Sequence, residues 1–187
     1  MAAGAVMCLI LGLFSAVALS PTQCQAESVP ALATGAMENF DLAETPRPAP
    51  DGTFVDGQGR QVALSEFRGK LVLLNFWATW CGPCVRELPD LDRLQAALGG
   101  PGFQVLAVSS DRKGPEVVRP FLDKLGIREL AAYNDRKAAL QRAFKVFGLP
   151  TTVLLDAEGR ELGRLVGPAE WNSDEARRLI GHFMARQ

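Results

Sequence analysis

The chain has 187 residues, with 20 Lys and Arg, 21 Asp and Glu, one His and four Cys. This length supports one globular domain with a core, and a hydrophobic content of 48% excludes a disordered chain. The net charge of −1 excludes a strongly basic nucleic-acid-binding protein, and four cysteines are too few for a disulfide-stapled scaffold. A single His excludes a His-rich metal site. We therefore expect no nucleic-acid partner, no metal and no other cofactor.

Residues 1–26 form an apolar segment without a charged side chain. This pattern is typical of a secretory signal peptide or a single membrane anchor. The almost wholly apolar run at 6–19 suits a signal peptide and is short for a spanning helix, which needs roughly 20 residues. Small residues allow cleavage after Ala18 or Ala26, although no Lys or Arg precedes Arg47. We expect export, and the sequence leaves cleavage or anchoring open.

The next segment is rich in residues that break regular structure. These are Pro30, Gly35, Pro46, Pro48 and Pro50. No sustained periodicity accompanies them, and the proline-rich end should be stiff and extended. The sequence therefore predicts a linker over residues 27–50 and a folded domain over residues 51–187.

The predicted domain begins with a β-hairpin. Its strands cover residues 53–55 and 60–64, and a glycine-rich turn joins them. Residues 71–77 form a continuous apolar run, which is typical of a strand buried on both faces. Apolar residues at helical spacing predict a helix over 84–98, in which Pro89 predicts a kink.

The remaining patterns continue the alternation of strands and helices. Residues 103–108 predict a second buried strand, and two amphipathic stretches predict helices over 115–125 and 136–147. A second hairpin follows, with strands over residues 151–155 and 160–166. The last helix is predicted over residues 172–185, and Asn172 and Glu175 form a capping-box-like pair at its start. This order predicts an α/β fold with a mixed central sheet flanked by helices.

Cys81 and Cys84 are the two cysteines of the predicted domain, and they lie where the buried strand gives way to the helix. Free N–H groups at a helix N-terminus stabilise a thiolate, and comparable C-x-x-C sites have lowered thiol pKa values. We therefore predict that Cys81 is the nucleophile in disulfide exchange. Cys84, one turn further along, is predicted to resolve the mixed disulfide by attacking the sulfur of Cys81.

A zinc half-site is the alternative interpretation of this pair. Four zinc ligands cannot be assembled from Cys81, Cys84 and His182 alone. Pro83 fits the first turn of a helix, where its missing N–H costs little. The placement therefore favours a redox-active disulfide between the two cysteines over a metal site.

Residues 76–89, FWATWCGPCVRELP, resemble the thioredoxin superfamily, and most of all its exported TlpA/ResA group. Three further segments carry the resemblance: residues 64–70 are similar to the group's lead-in, residues 147–152 to the cis-proline segment, and residues 167–171 to the TlpA proteins in particular. The similarity covers roughly residues 47–187. It implies a thioredoxin-like fold with an N-terminal hairpin extension.

The resemblance also implies where a substrate binds. It implies that Pro150 follows a cis peptide bond and faces the cysteines, beside a backbone edge that is open to an extended substrate. An ordinary trans proline is the alternative. The implied substrate-binding residues are Trp80, Gly82, Pro83, Leu149 and Pro150.

Asn75 departs from the pattern of cytosolic thioredoxins, which carry a buried acid at the matching strand position. An amide cannot transfer a proton, whereas Glu87 lies one turn beyond Cys84 and matches the acid of the exported group. We predict that Glu87 tunes the thiol of Cys84 and carries its proton, so that the catalytic residues are Cys81, Cys84 and Glu87. A solvated surface glutamate is the alternative for Glu87, and Trp171 is equally consistent with packing and with function.

The resemblance implies a periplasmic protein-disulfide reductase. The Gly-Pro pair between the cysteines resembles the reducing thioredoxins, with a potential of roughly −270 mV or modestly above it, and in the family a membrane thiol reductant resupplies the electrons. Candidate substrates are copper-site assembly proteins of cytochrome oxidase, which the TlpA-like ending favours, or apocytochrome c thiols. We expect a monomer in the periplasm, with anchoring to the inner membrane left open.

Two other functions are less favoured. A disulfide oxidase or isomerase needs a less reducing cysteine pair, near −120 to −180 mV. A copper chaperone on the same fold has three residues between its cysteines and a His ligand from a loop, and this chain has neither feature.

Overall fold

The computed structural model describes residues 32–186, and at their centre lies an eight-stranded mixed sheet. The strands are β1 (Asp41–Pro48), β2 (Thr53–Val55), β3 (Gln61–Ala63), β4 (Leu71–Trp77), β5 (Phe103–Ser109), β6 (Tyr133–Asn134), β7 (Thr151–Leu155) and β8 (Arg160–Val166). Across the sheet they follow the order β1-β8-β7-β4-β5-β6-β2-β3. The helices of this part of the chain are α1 (Gly82–Leu98), α2 (Pro115–Lys124), α3 (Ala139–Ala143) and α4 (Asp174–Met184).

Strand β4 occupies the centre and is buried along its whole length, as its apolar run predicts. It pairs with β5 in parallel and with β7 antiparallel. Because side chains alternate along a strand, Leu71, Leu73 and Trp77 pack in one cluster with residues of α1, α2 and α4. Val72, Leu74 and Phe76 pack in a second cluster with residues of the hairpin and of α3. The sheet therefore separates two cores, and the predicted α/β thioredoxin-like architecture is confirmed.

The predicted hairpin is also confirmed, and it joins the main sheet. Strands β2 and β3 pair antiparallel, and Val55 of β2 pairs with Asn134 of β6. Strand β6 is absent from the predictions because two residues are too few for a periodic signal.

Strand β1 corrects the described part, residues 32–50, of the linker predicted over residues 27–50. It pairs antiparallel with β8, from Asp41 opposite Arg164 to Pro48 opposite Arg160. Proline has no backbone N–H to donate. It is tolerated here because β1 lies at the edge of the sheet, where no further strand requires a hydrogen bond from it. The residues before it also belong to the domain, since Leu32, Met37 and Phe40 are buried in the first core.

The limits of helix α3 and the N-cap of helix α4 differ from the predictions. Helix α3 is limited to Ala139–Ala143, because Ala138 and Lys145 adopt positive φ values of 52° and 55° and interrupt the helical path on either side. Helix α4 is capped by Ser173, whose side chain accepts a hydrogen bond from the backbone N–H of Ala176, rather than by Asn172.

Among the described residues, no helix is both long enough and apolar enough to cross a membrane. The signal peptide or anchor predicted for residues 1–26 lies outside the described residues.

Gly163 of β8 provides a test of how closely β1 is packed. A Cβ at this position would lie 2.5 Å from the carbonyl oxygen of Asp41 and 2.6 Å from Cε1 of Phe40. We expect Gly163→Ala to destabilise the protein by about 1–3 kcal/mol, measured by urea unfolding, because the backbone of β1 must move away.

Gly181→Ala in α4 is the matched control, since beyond its chain neighbours and its own helical backbone no atom of the described residues lies within 4 Å of its added Cβ. This change should be neutral or stabilise by about 0.5–1 kcal/mol, as alanine favours a helix over glycine. Equal effects of the two substitutions would contradict the close approach of β1 to β8.

Candidate active site

Cys81 and Cys84 form a disulfide at the N-terminus of α1, with their Cα atoms 5.3 Å apart. The chain leaves β4 at Trp77 and turns back, so that the N–H of Cys81 donates to the carbonyl of Ala78. Cys81 is the N-cap residue, and its Sγ accepts a hydrogen bond from the N–H of Cys84 at 3.3 Å. Pro83 lies in the first turn as predicted.

The two sulfur-bearing residues differ in their access to solvent. Cys81 is 6% exposed, whereas Cys84 is fully buried. A thiolate formed at Cys81 on reduction is placed at the free N–H groups of the first helical turn, which stabilise negative charge. The arrangement can therefore support exchange that begins at Cys81 and is completed inside the protein by Cys84.

A groove runs beside the disulfide. The sequence-predicted residues Trp80, Gly82, Pro83 and Leu149 line it together with Cys81. Its other lining residues are Ser110, Arg112, Ala138, Gln141, Phe147 and Gly148. Pro150 follows the cis peptide bond that the resemblance implied, and it is buried rather than among the lining residues.

Phe147 and Arg112 were not predicted as groove residues. Phe147 is 95% exposed and Trp80 is 72% exposed, so the groove has two solvent-facing aromatic rims. Such exposure of large aromatic side chains is typical of a surface that contacts a partner. Phe147 lies inside the segment at residues 147–152 that resembles the cis-proline segment, and this resemblance was the available signal that it borders the groove. Arg112 belongs to a different loop and has no local signal.

Glu87 is buried rather than solvated, with 3% of its surface exposed. Its Oε1 accepts a hydrogen bond from Asn75 Nδ2 at 2.8 Å. Its Oε2 accepts from the N–H of Ala169 at 3.1 Å and from Trp171 Nε1 at 3.2 Å. Hydrogen bonds thus connect the carboxylate, which projects from α1, to strand β4 and to the loop before α4.

Burial raises the pKa of Glu87 from its ordinary 4.5 to about 7. The hydrogen bonds from Asn75, Ala169 and Trp171 favour the charged form and partly offset this increase in pKa, while the nearby charge of Asp90 adds to it. The carboxyl group is therefore poised to gain and lose a proton near neutral pH. Glu87 follows Cys84 by three residues on α1, so both side chains lie on the buried face of the helix.

Asn75 connects this carboxyl group to the cis-proline strand. Its Nδ2 donates both to Glu87 and to Thr152 Oγ1, the latter at 2.9 Å, and Asn75 and Thr152 are paired in the sheet. Trp171 packs its ring edge-on against Phe40 and donates its Nε1 N–H to Glu87, so it contacts both the first core and the buried carboxyl group.

Within residues 32–186, no group of three or more His, Cys, Asp or Glu side chains is arranged to hold a metal ion. The groups that the site offers for thiol exchange are the two sulfurs and the buried carboxyl group.

Comparison with known proteins agrees with this geometry. A family described as Redoxin matches residues 44–180. The chain belongs to the redoxin family. This redoxin is 38% identical over 113 residues to the thiol-disulfide oxidoreductase ResA of Geobacillus thermodenitrificans, an alignment that covers 60% of the chain and 63% of the relative. It is 29% identical over 133 residues to ResA of Bacillus cereus, covering 71% of the chain and 76% of the relative.

Solved structures extend the similarity to the fold. A thiol:disulfide interchange protein from Bacteroides sp. superimposes with a TM-score of 0.63 at 27% identity, covering 77% of this redoxin and 91% of that chain. A thioredoxin family protein from Chlorobium tepidum, described as a thiol:disulfide interchange protein, gives a TM-score of 0.61 at 27% identity, covering 76% and 99%.

The raised pKa of Glu87 predicts a pH-dependent stability. Below about pH 4.5 the carboxyl group is neutral in both folded and unfolded chains. As the pH rises towards 7, the unfolded chain loses this proton first, so the wild type loses stability relative to Glu87→Gln. The relative loss should reach roughly 3 kcal/mol at pH 8.

Urea unfolding of the oxidised wild type and of Glu87→Gln between pH 4.5 and 8 measures this difference. Glu170→Gln is the control, since Glu170 is exposed in the same loop as Ala169. Parallel pH profiles for the wild type and Glu87→Gln would show that Glu87 does not titrate in this interval.

Proposed function

We propose that this redoxin is a thiol:disulfide oxidoreductase that reduces disulfides in client proteins through Cys81 and Cys84. The observation that carries the proposal is the unequal access of the two sulfurs: Cys81 lines the groove, while Cys84 is fully buried behind it. A protein client cannot reach an enclosed sulfur, so exchange with clients proceeds through Cys81. The names of the ResA relatives support the same chemistry.

The first step is attack by the Cys81 thiolate on one sulfur of the client disulfide. A bond forms between Cys81 and that sulfur, the client S–S bond breaks, and the released client thiolate takes a proton from solvent. The N–H groups of the first turn of α1 stabilise the attacking thiolate. An extended client segment lies in the groove between Trp80 and Phe147 during this exchange.

The second step resolves the mixed disulfide. The thiol of Cys84 gives its proton to the Glu87 carboxylate, and the resulting thiolate attacks Sγ of Cys81. The Cys81–Cys84 disulfide forms, and the second client sulfur leaves as a thiolate. Two electrons have then passed from the protein to the client. A carboxyl pKa of about 7 allows Glu87 to accept and return a proton near neutral pH.

The direction and the place of the reaction rest on the sequence. The Gly82-Pro83 pair resembles the reducing thioredoxins and favours reduction over oxidation or isomerisation of clients. Residues 1–26 direct the protein to the periplasm as a signal peptide or an inner-membrane anchor, and a membrane thiol reductant restores its dithiol. The proposed clients are copper-site assembly proteins of cytochrome oxidase, with apocytochrome c as the alternative. The protein acts as a monomer.

A resolving-cysteine variant should trap the clients. In the exported Cys84→Ser protein, mixed disulfides through Cys81 should accumulate, because the sulfur that breaks them is gone. The trapped proteins are isolated without reductant and identified by mass spectrometry.

The double variant Cys81→Ser/Cys84→Ser is the control and should trap nothing. Capture of a copper-site assembly protein or an oxidase subunit would support the first client class, and capture of apocytochromes the second. Failure of Cys84→Ser to form any mixed disulfide would contradict the reaction itself.

Replacement of Glu87 should slow resolution. Glu87→Gln preserves the size of the side chain but cannot accept a proton, so we expect thiol:disulfide exchange to slow several-fold at pH 7 and to lose its inflection near that pH. Stopped-flow exchange of the reduced protein with a disulfide peptide between pH 5.5 and 9 measures both. Glu170→Gln should behave as wild type, and an unchanged pH–rate profile in Glu87→Gln would remove Glu87 from the mechanism.

A further inference from the structure

Three exposed basic side chains surround the disulfide and its groove. Arg112 lines the groove, and with Lys113 it also lines a second hollow that shares Trp80 with the groove. Arg86 extends along the first turn of α1, where its Nη1 lies 3.8 Å from the position that a Cβ on Gly82 would occupy. Within residues 32–186, no carboxylate forms an ion pair with any of the three.

The one acidic side chain that lines these two hollows among the described residues is turned inward. Asp111 is buried, and its carboxylate accepts hydrogen bonds from the N–H and Oγ1 of Thr79, at 2.9 and 2.7 Å, and from Ser109 Oγ at 2.6 Å. Asp111 therefore connects the loop that carries Arg112 and Lys113, the basic loop, to Thr79, which precedes Cys81, instead of pairing with the cations of the loop. The surface presented to a client remains positively charged.

This basic loop has a fixed backbone. The carbonyl of Asp111 accepts a hydrogen bond from Asn134 Nδ2 at 3.0 Å, and the carbonyl of Arg112 accepts one from Arg136 Nε at 2.8 Å. Both hydrogen bonds come from residues 134–136, and they hold the backbone that carries Arg112 and Lys113 beside the groove. A charge that is already in place attracts an opposite charge without a further cost of ordering the loop.

We propose that Arg86, Arg112 and Lys113 form a specificity surface for clients whose reactive disulfide lies in an acidic extended segment. This inference rests on the proposed reductase function and names its substrate class. The apolar part of such a segment contacts Trp80 and Phe147, and Asp or Glu side chains near the client cysteine meet the cations. The attraction acts on encounter and orientation, so it raises the rate of exchange and is screened by salt.

The test compares three disulfide peptides of equal length, in which the residues flanking the cysteines are Asp, Ser or Lys. Each peptide's rate with the reduced full chain is divided by its rate with the neutral thiol 2-mercaptoethanol, which removes differences in intrinsic reactivity. At low ionic strength we expect the Asp peptide to exceed the Lys peptide about ten-fold, and high salt to reduce this preference.

Charge reversal identifies the residues responsible. In Arg112→Glu/Lys113→Glu the order of the Asp and Lys peptides should invert. Each variant's peptide rates are divided by its own rate with neutral 2-hydroxyethyl disulfide, so that any change in the reactivity of Cys81 itself cancels. Lys124→Glu/Arg128→Glu is the matched control: it changes the net charge equally at exposed residues that line neither hollow, and it should keep the wild-type preference.

Two outcomes would overturn the inference while leaving the reductase function intact. One is equal corrected rates for the three peptides. The other is the absence of peptide preference together with binding of phosphatidylglycerol vesicles that is lost on charge reversal, which would assign the surface to a lipid headgroup. Failure to reduce 2-hydroxyethyl disulfide and every peptide would instead contradict the proposed function itself.

Discussion

The complete burial of strand β4 is the constraint on which the rest of the structure depends. A strand with no solvent-facing side requires a core on each face, and the helices on one side and the hairpin on the other supply them. Its one residue with a polar amide, Asn75, donates from Nδ2 to Glu87 and Thr152, while its buried Oδ1 has no hydrogen-bond partner among the described residues. The disulfide lies just beyond the end of the same strand. The site is therefore a product of how the centre of the sheet is buried.

Glu87 joins parts of the chain that are distant in sequence. Asn75 contributes a donor from the sheet, and Ala169 and Trp171 contribute donors from the loop before α4. Three N–H donors make a buried charge tolerable, yet burial still keeps the pKa of Glu87 near 7. The opposing effects leave a carboxyl group that changes charge in the pH range where thiols exchange.

The sequence predicted those parts of the molecule that local patterns determine. Strands β4, β7 and β8 were located by apolar runs and turn residues, and the cysteines and Glu87 by one short motif. Strand β1 was missed because an exposed edge strand that contains prolines has no apolar alternation. The limits of α3 were missed because the residues with positive φ, Ala138 and Lys145, are not glycines, so the sequence contains no signal for them. Contacts between distant segments, such as that of Trp171 with Glu87, could not be predicted because no spacing along the chain encodes them.

The edge strand β1 also bears on how copies of the protein behave towards each other. An uncovered β8 would offer a row of backbone donors and acceptors to any passing strand, and β1 occupies that row. Pro46 and Pro48 cannot donate a hydrogen bond, and the exposed charge of Arg47 lies between them. The same prolines that suggested a linker thus leave this side of the sheet a poor template for further strands, which opposes aggregation at high local concentration.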